Sequence, residues 1–258
     1  MAHNETQSGL RGTSTNHRGR PCKCNDANPR EAIIAIAIKL FRKKGYADTS
    51  LGEIARHINM DPSSLYYYFP SKQALLEATT HPEHLAPSLS CLTPYSSQAS
   101  HQLYALIIHD VVHKCELPID FLEMEALAHK APQDFAPFFK HYEAGYTNMI
   151  TVINNGIASG EFKPCEADEH AVTILSINEG LQHHYHAKHR NQLILQTSGY
   201  TVRNYIPSEI GHLSARCVLP ALMIDNSSEN IERVAREGMK LYRQLAKSLK
   251  KDSEQNDA

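Results

Sequence analysis

Ten residues, SSLYYYFPSK from Ser63 to Lys72, place five hydroxyl side chains ahead of a proline, a third serine and a lysine. If the stretch is helical, each residue turns by about 100°, and Leu65 with Phe69 defines the buried side. Tyr68 then leans partly inward, Tyr66 and Ser64 fall on opposite flanks, and Tyr67 and Ser63 point directly away. Hydroxyls so arranged, with Lys72 just beyond them, hydrogen-bond phosphate oxygens and reach base edges, and an α-helix fits the DNA major groove. An isolated run of tyrosines needs no such reading, since each has an apolar body that prefers partial burial. The surrounding signals decide.

Other chemistry is thinner. There are 16 histidines; His183, His184, His186 and His189 form a dense run, and His109 and His113 have the spacing of a helical pair. A closed metal site needs four converging ligands. The sequence has no HExxH, and Cys22-x-Cys24 has no second pair nearby. A solvated helix face or interface is the expected role of these histidines, with no metal and no cofactor. Nor is there a GxSxG, a Walker loop or a dinucleotide fingerprint, so no catalytic nucleophile or base is assigned and no enzyme is expected. A metal-sensing regulator, or a metal-dependent enzyme built on the His-rich helices, stands as the alternative.

The elements that must position SSLYYYFPSK are strongly signalled. Asn28, Pro29 and Glu31 suit the N-cap, first position and third position of a helix. Ile33, Ala37, Leu40 and Phe41 give it an apolar stripe, and Gly45 ends it. Ser50 and Glu53 have capping-box spacing before Leu51, Ile54, Ala55 and Ile58. Asn59 tolerates a left-handed turn, and Asp61-Pro62 restarts a helix as cap and first residue. Two short helices joined by about three residues make a helix-turn-helix. Phe69-Pro70 closes the second of them, and Ser71 caps a fourth helix.

Over residues 37–78, AIKLFRKKGYADTSLGEIARHINMDPSSLYYYFPSKQALLEA, the chain resembles the TetR family of bacterial transcriptional regulators. The resemblance covers about 50 of 258 residues. It implies that Thr49 and Ser50 contact phosphates, that Ser63, Ser64, Tyr66 and Tyr67 occupy recognition-helix positions, and that Lys72 is a phosphate-binding lysine. Asn59 and Ser63 stand where the family often has glycine, and Tyr68 replaces a frequent histidine. For the rest of the chain, where only INNGIASGEF (153–162) and INEGL (177–181) look familiar, it implies a helical ligand-binding and dimerisation domain. The helices at 167–190 and 207–224 are then the main pairing surfaces of a homodimer.

The bulk properties agree. Length allows one or two domains with a sizeable core. Residues 1–78 carry 11 Lys/Arg against 7 Asp/Glu and residues 79–258 carry 15 against 21, so a polyanion would meet the front of the chain. The longest apolar run, Ala32–Ile38, is far short of the roughly 20 residues a spanning helix needs. Residues 1–27 lack an apolar h-region, so no signal peptide or membrane partner is expected and the location is cytoplasmic. Six scattered cysteines are unlike a disulfide framework.

The expected architecture is all-α: a disordered basic arm at 1–27, a helix-turn-helix domain at 28–78, a helical body at 79–250 and a disordered tail at 251–258. Helices are placed near 98–115, 117–130, 132–159, 167–190, 207–224 and 228–249, after a proline- and serine-rich connection at 81–97. Phe121, Met124, Phe135, Phe138, Phe139, Tyr142, Tyr146 and Met149 concentrate aromatic and soft side chains in two consecutive helices. Most are expected to pack in the core. Some, taken as Phe121, Met124, Phe138, Tyr142, Tyr146 and Met149 with His109 and His113, are expected to line a pocket for a hydrophobic effector. The function expected is a ligand-responsive repressor on a pseudo-palindromic DNA operator.

Overall fold

The computed structural model describes residues 28–80, 87–130, 132–190 and 203–256. The expected arm at 1–27, residues 81–86 of the connection and residues 191–202, between the expected helices at 167–190 and 207–224, lie outside these. Among the described residues the chain is helical, with a single isolated bridge between Phe162 and Met223.

Helix α1 (Pro29–Lys44) starts as its sequence dictates. The Asn28 side chain accepts the Arg30 amide at 3.1 Å and donates to Glu31 at 2.8 Å. Gly45 ends it at φ +87°, in the region where a side chain is strained. Ser50 accepts the Glu53 amide and caps α2 (Leu51–His57). Asn59 makes the turn at φ +52°, and Asp61 caps α3 (Pro62–Tyr68). Helix α4 (Lys72–Thr80) completes the head. Ile33, Phe41, Ile54, Leu65 and Leu75 are all fully buried between these four helices.

A 3-10 turn at Leu89–Cys91 leads to α5 (Ala99–Glu116), the axle of the body, which packs most closely against the last four helices. Helices α6 (Phe121–Ala128), α7 (Pro132–Ala158), α8 (Ala167–His189), α9 (Pro207–Leu222) and α10 (Ser228–Asn256) surround it. Leu103, Tyr104, Ile107, Ile108 and Val111 of α5 have at most 1% exposure. Each such side chain stabilises by roughly 1.5–3 kcal/mol, an upper estimate because the unfolded chain already hides some surface. Close approach needs small residues opposite. A Cβ on Gly211 of α9 would lie 2.9 Å from the Ile108 backbone, and one on Gly238 of α10 would lie 2.5 Å from the Tyr104 ring.

Three boundaries differ from the sequence expectation. Helix α6 starts at Phe121 rather than near 117, because Asp120 accepts the amides of Leu122 and Glu123 as an N-cap. Helix α10 continues to Asn256 through the segment expected to be a disordered tail; its residues include neither proline nor glycine to stop it. The head and body also share a core. Leu117, Ile119, Phe121, Met124, Phe135 and Phe138 join the buried cluster of the head helices. The division near residue 79 is therefore one of sequence and not of packing.

Helix α5 is capped from a distance. Gln98 supplies no side-chain cap; instead Glu161, in the turn after α7, accepts the amides of Ala99 (2.9 Å) and Ser100 (3.1 Å) and the Ser100 hydroxyl (2.7 Å). Burial by itself raises the Glu161 carboxyl, but these hydrogen bonds outweigh it and hold the group below its ordinary 4.5. A depressed folded value stabilises above the unfolded value, and that stabilisation is lost as pH falls through the folded one. Glu161→Gln is expected to lose about 1 kcal/mol in urea unfolding near pH 7, the typical worth of a helix cap. The gap should narrow in acid as the wild-type carboxyl protonates; a gap independent of pH would contradict this role.

Candidate nucleic-acid interface

Helix α3 carries the hydroxyl surface. Leu65 (0% exposed) and Phe69 (2%) anchor it, Tyr66 is 53% exposed and Tyr67 86%. Tyr68 is half-buried against the head core and meets Tyr67 edge-on, with centroids 5.4 Å apart. The angular assignment from sequence thus matches the burial of each tyrosine. Ser64 is half-buried and Ser63 exposed. The Ser63 hydroxyl donates to Asp61 at 2.6 Å, as does its amide at 2.8 Å. Its proton is committed to the cap, leaving oxygen lone pairs for an outside donor. The same two bonds hold the Asp61 carboxyl below its ordinary range.

Two residues sit differently from their expected roles. Thr49 is 1% exposed, and its hydroxyl donates to the Gly45 carbonyl at 2.9 Å. It fastens the α1–α2 turn; only Ser50 of the pair is exposed. Lys72 points back into the same turn. Its ammonium donates to the carbonyls of Tyr46 (2.7 Å), Thr49 (2.8 Å) and Ala47 (3.3 Å) and lies 4.1 Å from the Tyr46 ring centroid. An ammonium has three donors, so all are directed inward and Lys72 positions the turn. Burial draws its proton affinity below the ordinary lysine value, opposed by the charges of Asp48 and Glu123.

The turn is also gripped from the body, which no spacing rule in the sequence signals. Glu123 of α6 accepts the Tyr46 amide at 2.7 Å and pairs with Arg190, the C-cap of α8, at 3.1 Å. Arg190 in turn donates to the Arg42 carbonyl at the end of α1. A Cβ on Gly45 would come within 3.0 Å of the Glu123 carboxylate, so glycine is needed there for space as well as for φ. Lys44 and Glu53 pair across α1 and α2.

The expected pocket residues are divided between environments. Phe121, Phe138 and Tyr142 meet, with Phe121 centroids 6.1 Å from Phe138 and 5.2 Å from Tyr142. Met124 is buried beside Phe121 and Phe138 in the cluster shared with the head; Met149 is buried in the body core, with Tyr146 half-buried against it. His109 and His113 are stacked 6.0 Å apart on another side of α5, beside a cleft of about 160 Å³ walled by Tyr242 and Leu249. A larger, mainly apolar cleft of about 450 Å³ lies between α8 and α9, lined by Leu181, Tyr185, Tyr205, Ile210 and Leu213 among others.

Between these sites runs a buried polar network. Lys114 is fully enclosed, 3.2 Å from Asp110 and 3.4 Å from Glu179. Asn178 donates to Asp110 at 2.8 Å and accepts the Ser214 hydroxyl at 2.5 Å. Tyr142 donates to Glu179 at 2.5 Å; burial, and then that carboxylate, push the phenol up. The histidine run turns to separate partners: His183 to Asp120, His186 to the Lys114 carbonyl and His189 to the Tyr185 carbonyl. Burial lowers His186 to about 4, so it is neutral. Among the described residues no three His, Cys, Asp or Glu side chains gather as metal ligands. No described helix is long and apolar enough to cross a membrane.

Residues 33–79 match the family model for bacterial regulatory proteins of the tetR family. The HTH-type regulator YuxN of Bacillus subtilis, itself uncharacterised, is 52% identical over 44 residues, 17% of this chain and 15% of that protein. IcaR of Staphylococcus aureus, a negative transcriptional regulator of the biofilm operon icaADBC, is 46% identical over 48 residues, 19% of this chain and 26% of its own. The chain therefore spans about a quarter or less of these relatives.

Solved structures extend the likeness to most of the fold. The ketosteroid regulator KstR2 of Mycobacterium tuberculosis superposes with a TM-score of 0.59 at 16% identity, over 78% of this chain and 97% of its own. A putative regulator from Saccharomonospora viridis in complex with choline gives 0.54 at 16%, over 75% and 97%. AibR in complex with isovaleryl coenzyme A and operator DNA gives 0.53 at 17%, over 74% and 98%. Over residues 33–79 the chain thus matches the tetR family of bacterial regulatory proteins, and its helical fold as a whole is similar to that of these solved regulators.

Proposed function

We propose that the chain is a ligand-responsive transcriptional regulator, a repressor that binds a pseudo-palindromic operator as a homodimer in the cytoplasm and is released by a small hydrophobic molecule. The observation that carries the reading is α3, a rigidly capped helix whose outer surface is Tyr67, Tyr66, Ser63 and Ser64. Tyr67 and Ser64 are assigned to base edges, Tyr66 and Ser50 to phosphates, and Ser63 acts as an acceptor only. The relatives point the same way: IcaR is a negative regulator, and AibR was captured with both an acyl-coenzyme A and operator DNA.

Pairing of two copies is assigned to α8 and α9. Val172 and Leu213 are 53% and 39% exposed there, and the apolar cleft between the two helices adds Leu181 and Ile210. Two heads so joined read half-sites about one helical turn apart or more. Release needs an effector with unequal affinity for two arrangements of the body, transmitted to the heads by contacts such as Glu123 with Tyr46.

On a duplex selected from a random pool, Tyr67→Ala is expected to weaken retardation about tenfold or more and to broaden the selected sequence. Full affinity and unchanged sequence preference would remove Tyr67 from the interface. Lys72→Ala separates two roles. As a residue that positions the turn, its loss should lower the thermal midpoint and leave the salt dependence of binding nearly unchanged. A direct phosphate contact would instead reduce the slope of log K against log salt by about 1.

A further inference from the structure

The cleft between α8 and α9, about 450 Å³, is within the range of small-molecule sites, roughly 300–1,000 Å³. Its floor is a small apolar cluster apart from the main core. Val111 and Cys115 of α5 and Ile210 of α9 are buried together there, with Leu181, Tyr185 and Tyr205 half-buried against them. The charged side chains that line the cleft are all of one sign. Lys188, from the last turn of α8, and Arg203 line it with His184 and His189, and among the described residues no Asp or Glu does so. The Arg203 guanidinium sits 4.8 Å from the Tyr205 ring centroid. Its ion pair with Glu209 is loose, at 3.9 Å, with side chains 70% and 45% exposed.

An apolar floor under a cationic mouth fits a molecule that is apolar with one anionic end. A second copy of the chain is a poorer occupant, because the same patch brings the same cations and no acid to meet them. Val172, exposed near the other end of α8, lies about 20 Å along the helix from Tyr185. Two copies paired along α8 and α9 therefore leave the cleft at the edge of their contact.

We propose that this cleft is the effector site and takes an amphipathic carboxylate of medium chain length, its apolar part on Leu181, Tyr205 and Ile210 and its carboxylate at the mouth with Arg203 and Lys188. The inference rests on the reading of the chain as a ligand-responsive regulator and refines it. The site lies between α8 and α9 instead of among the aromatic side chains of α6 and α7, and the hydrophobic effector carries an anionic end.

The cleft is one step from the head. Lys188 and His189 directly precede Arg190, which donates to the Arg42 carbonyl at 3.3 Å and to Glu123 at 3.1 Å. Glu123 in turn holds the Tyr46 amide. Beneath the floor, α5 ends at Glu116, whose carbonyl accepts from Arg42. A carboxylate bound at the last turn of α8 acts on this clamp.

The test uses the full chain, titrated with sodium decanoate below its micelle-forming concentration and with 1-decanol and decyltrimethylammonium chloride, which keep the chain and change the charge. Decanoate is expected to bind saturably and to raise the thermal midpoint by roughly 5 °C at about a hundredfold excess over its dissociation constant. Decanol and the ammonium compound should bind about tenfold more weakly or worse. Arg203→Glu should weaken decanoate binding about tenfold or more and leave decanol binding nearly unchanged, whereas Leu181→Asn should weaken both. Arg203 is at the surface, so its variant serves if the second fails to fold.

No saturable binding of decanoate, equal binding of decanol, or undiminished affinity in Arg203→Glu would overturn the assignment. Sedimentation of the same samples reports the other occupant: decanoate bound only by dissociated chains would mean that a second copy fills the cleft, and would overturn it too. Retardation of the selected duplex is measured with and without decanoate, which should weaken it. DNA binding that decanoate leaves unchanged would sink this inference alone; decanoate binding without any DNA binding would sink the regulator reading and leave the binding site.

Discussion

The carboxylate of Glu123 against the Gly45–Tyr46 turn is the constraint on which the relation of head to body depends. One oxygen accepts the Tyr46 amide and the other meets the Arg190 guanidinium. From the opposite side Lys72 holds three carbonyls of the same turn. The segment between α1 and α2 is thus clamped by α4, α6 and α8 together. Since α3 is oriented through α2, the direction in which Tyr67 points is referred to the body and not to the head alone. The shared apolar cluster of Phe121, Met124 and Phe138 with the head helices makes the same connection without charge.

Within the body the governing fact is that α5 is buried and yet polar along one line. Asp110 and Lys114 are one turn apart on it, and Asn178, Gln182 and His186 follow at four-residue intervals on α8. Each of these polar groups has a hydrogen-bonding or ionic partner. Removing one member of such a network leaves the others stranded, which is more damaging than its net worth suggests. The arrangement fixes the register of α5 against α8 and α9 far more narrowly than apolar packing would. It also concentrates, at Lys114, the only enclosed ammonium among the described residues.

Local features of the head were legible in the sequence because their causes are local. Asn28, Ser50 and Asp61 act as caps and Asn59 takes the positive φ, since each effect spans at most three residues. The three tyrosines sort by angle because Leu65 and Phe69 fix the phase of a short helix. Lys72 is less legible, for the opposite reason. Its chemistry suits a phosphate, but three carbonyls lying 23 to 26 residues away in sequence claim its donors. Thr49 likewise turns its hydroxyl to Gly45 instead of outward.

In the body, helix positions were readable from periodicity, but partnerships were not. His109 and His113 are next to Asp110 and Lys114 in sequence, yet about 100° around the helix places the pairs in different environments. Nothing in the spacing joins Lys114 to Glu179 or Glu123 to Arg190, because those pairs are made by the packing of separate helices. The capping of α5 by Glu161 belongs to the same class: the INNGIASGEF motif was visible, its reach to Ala99 and Ser100 was not.

Hydroxyl-radical footprinting of the selected duplex tests the central claim most directly. Two α3 helices presented by a symmetric dimer should protect two patches on one face of the duplex, with centres about 10 base pairs apart or a multiple of that. Protection of a single patch, or of a continuous stretch unaffected by Tyr67→Ala, would contradict the account.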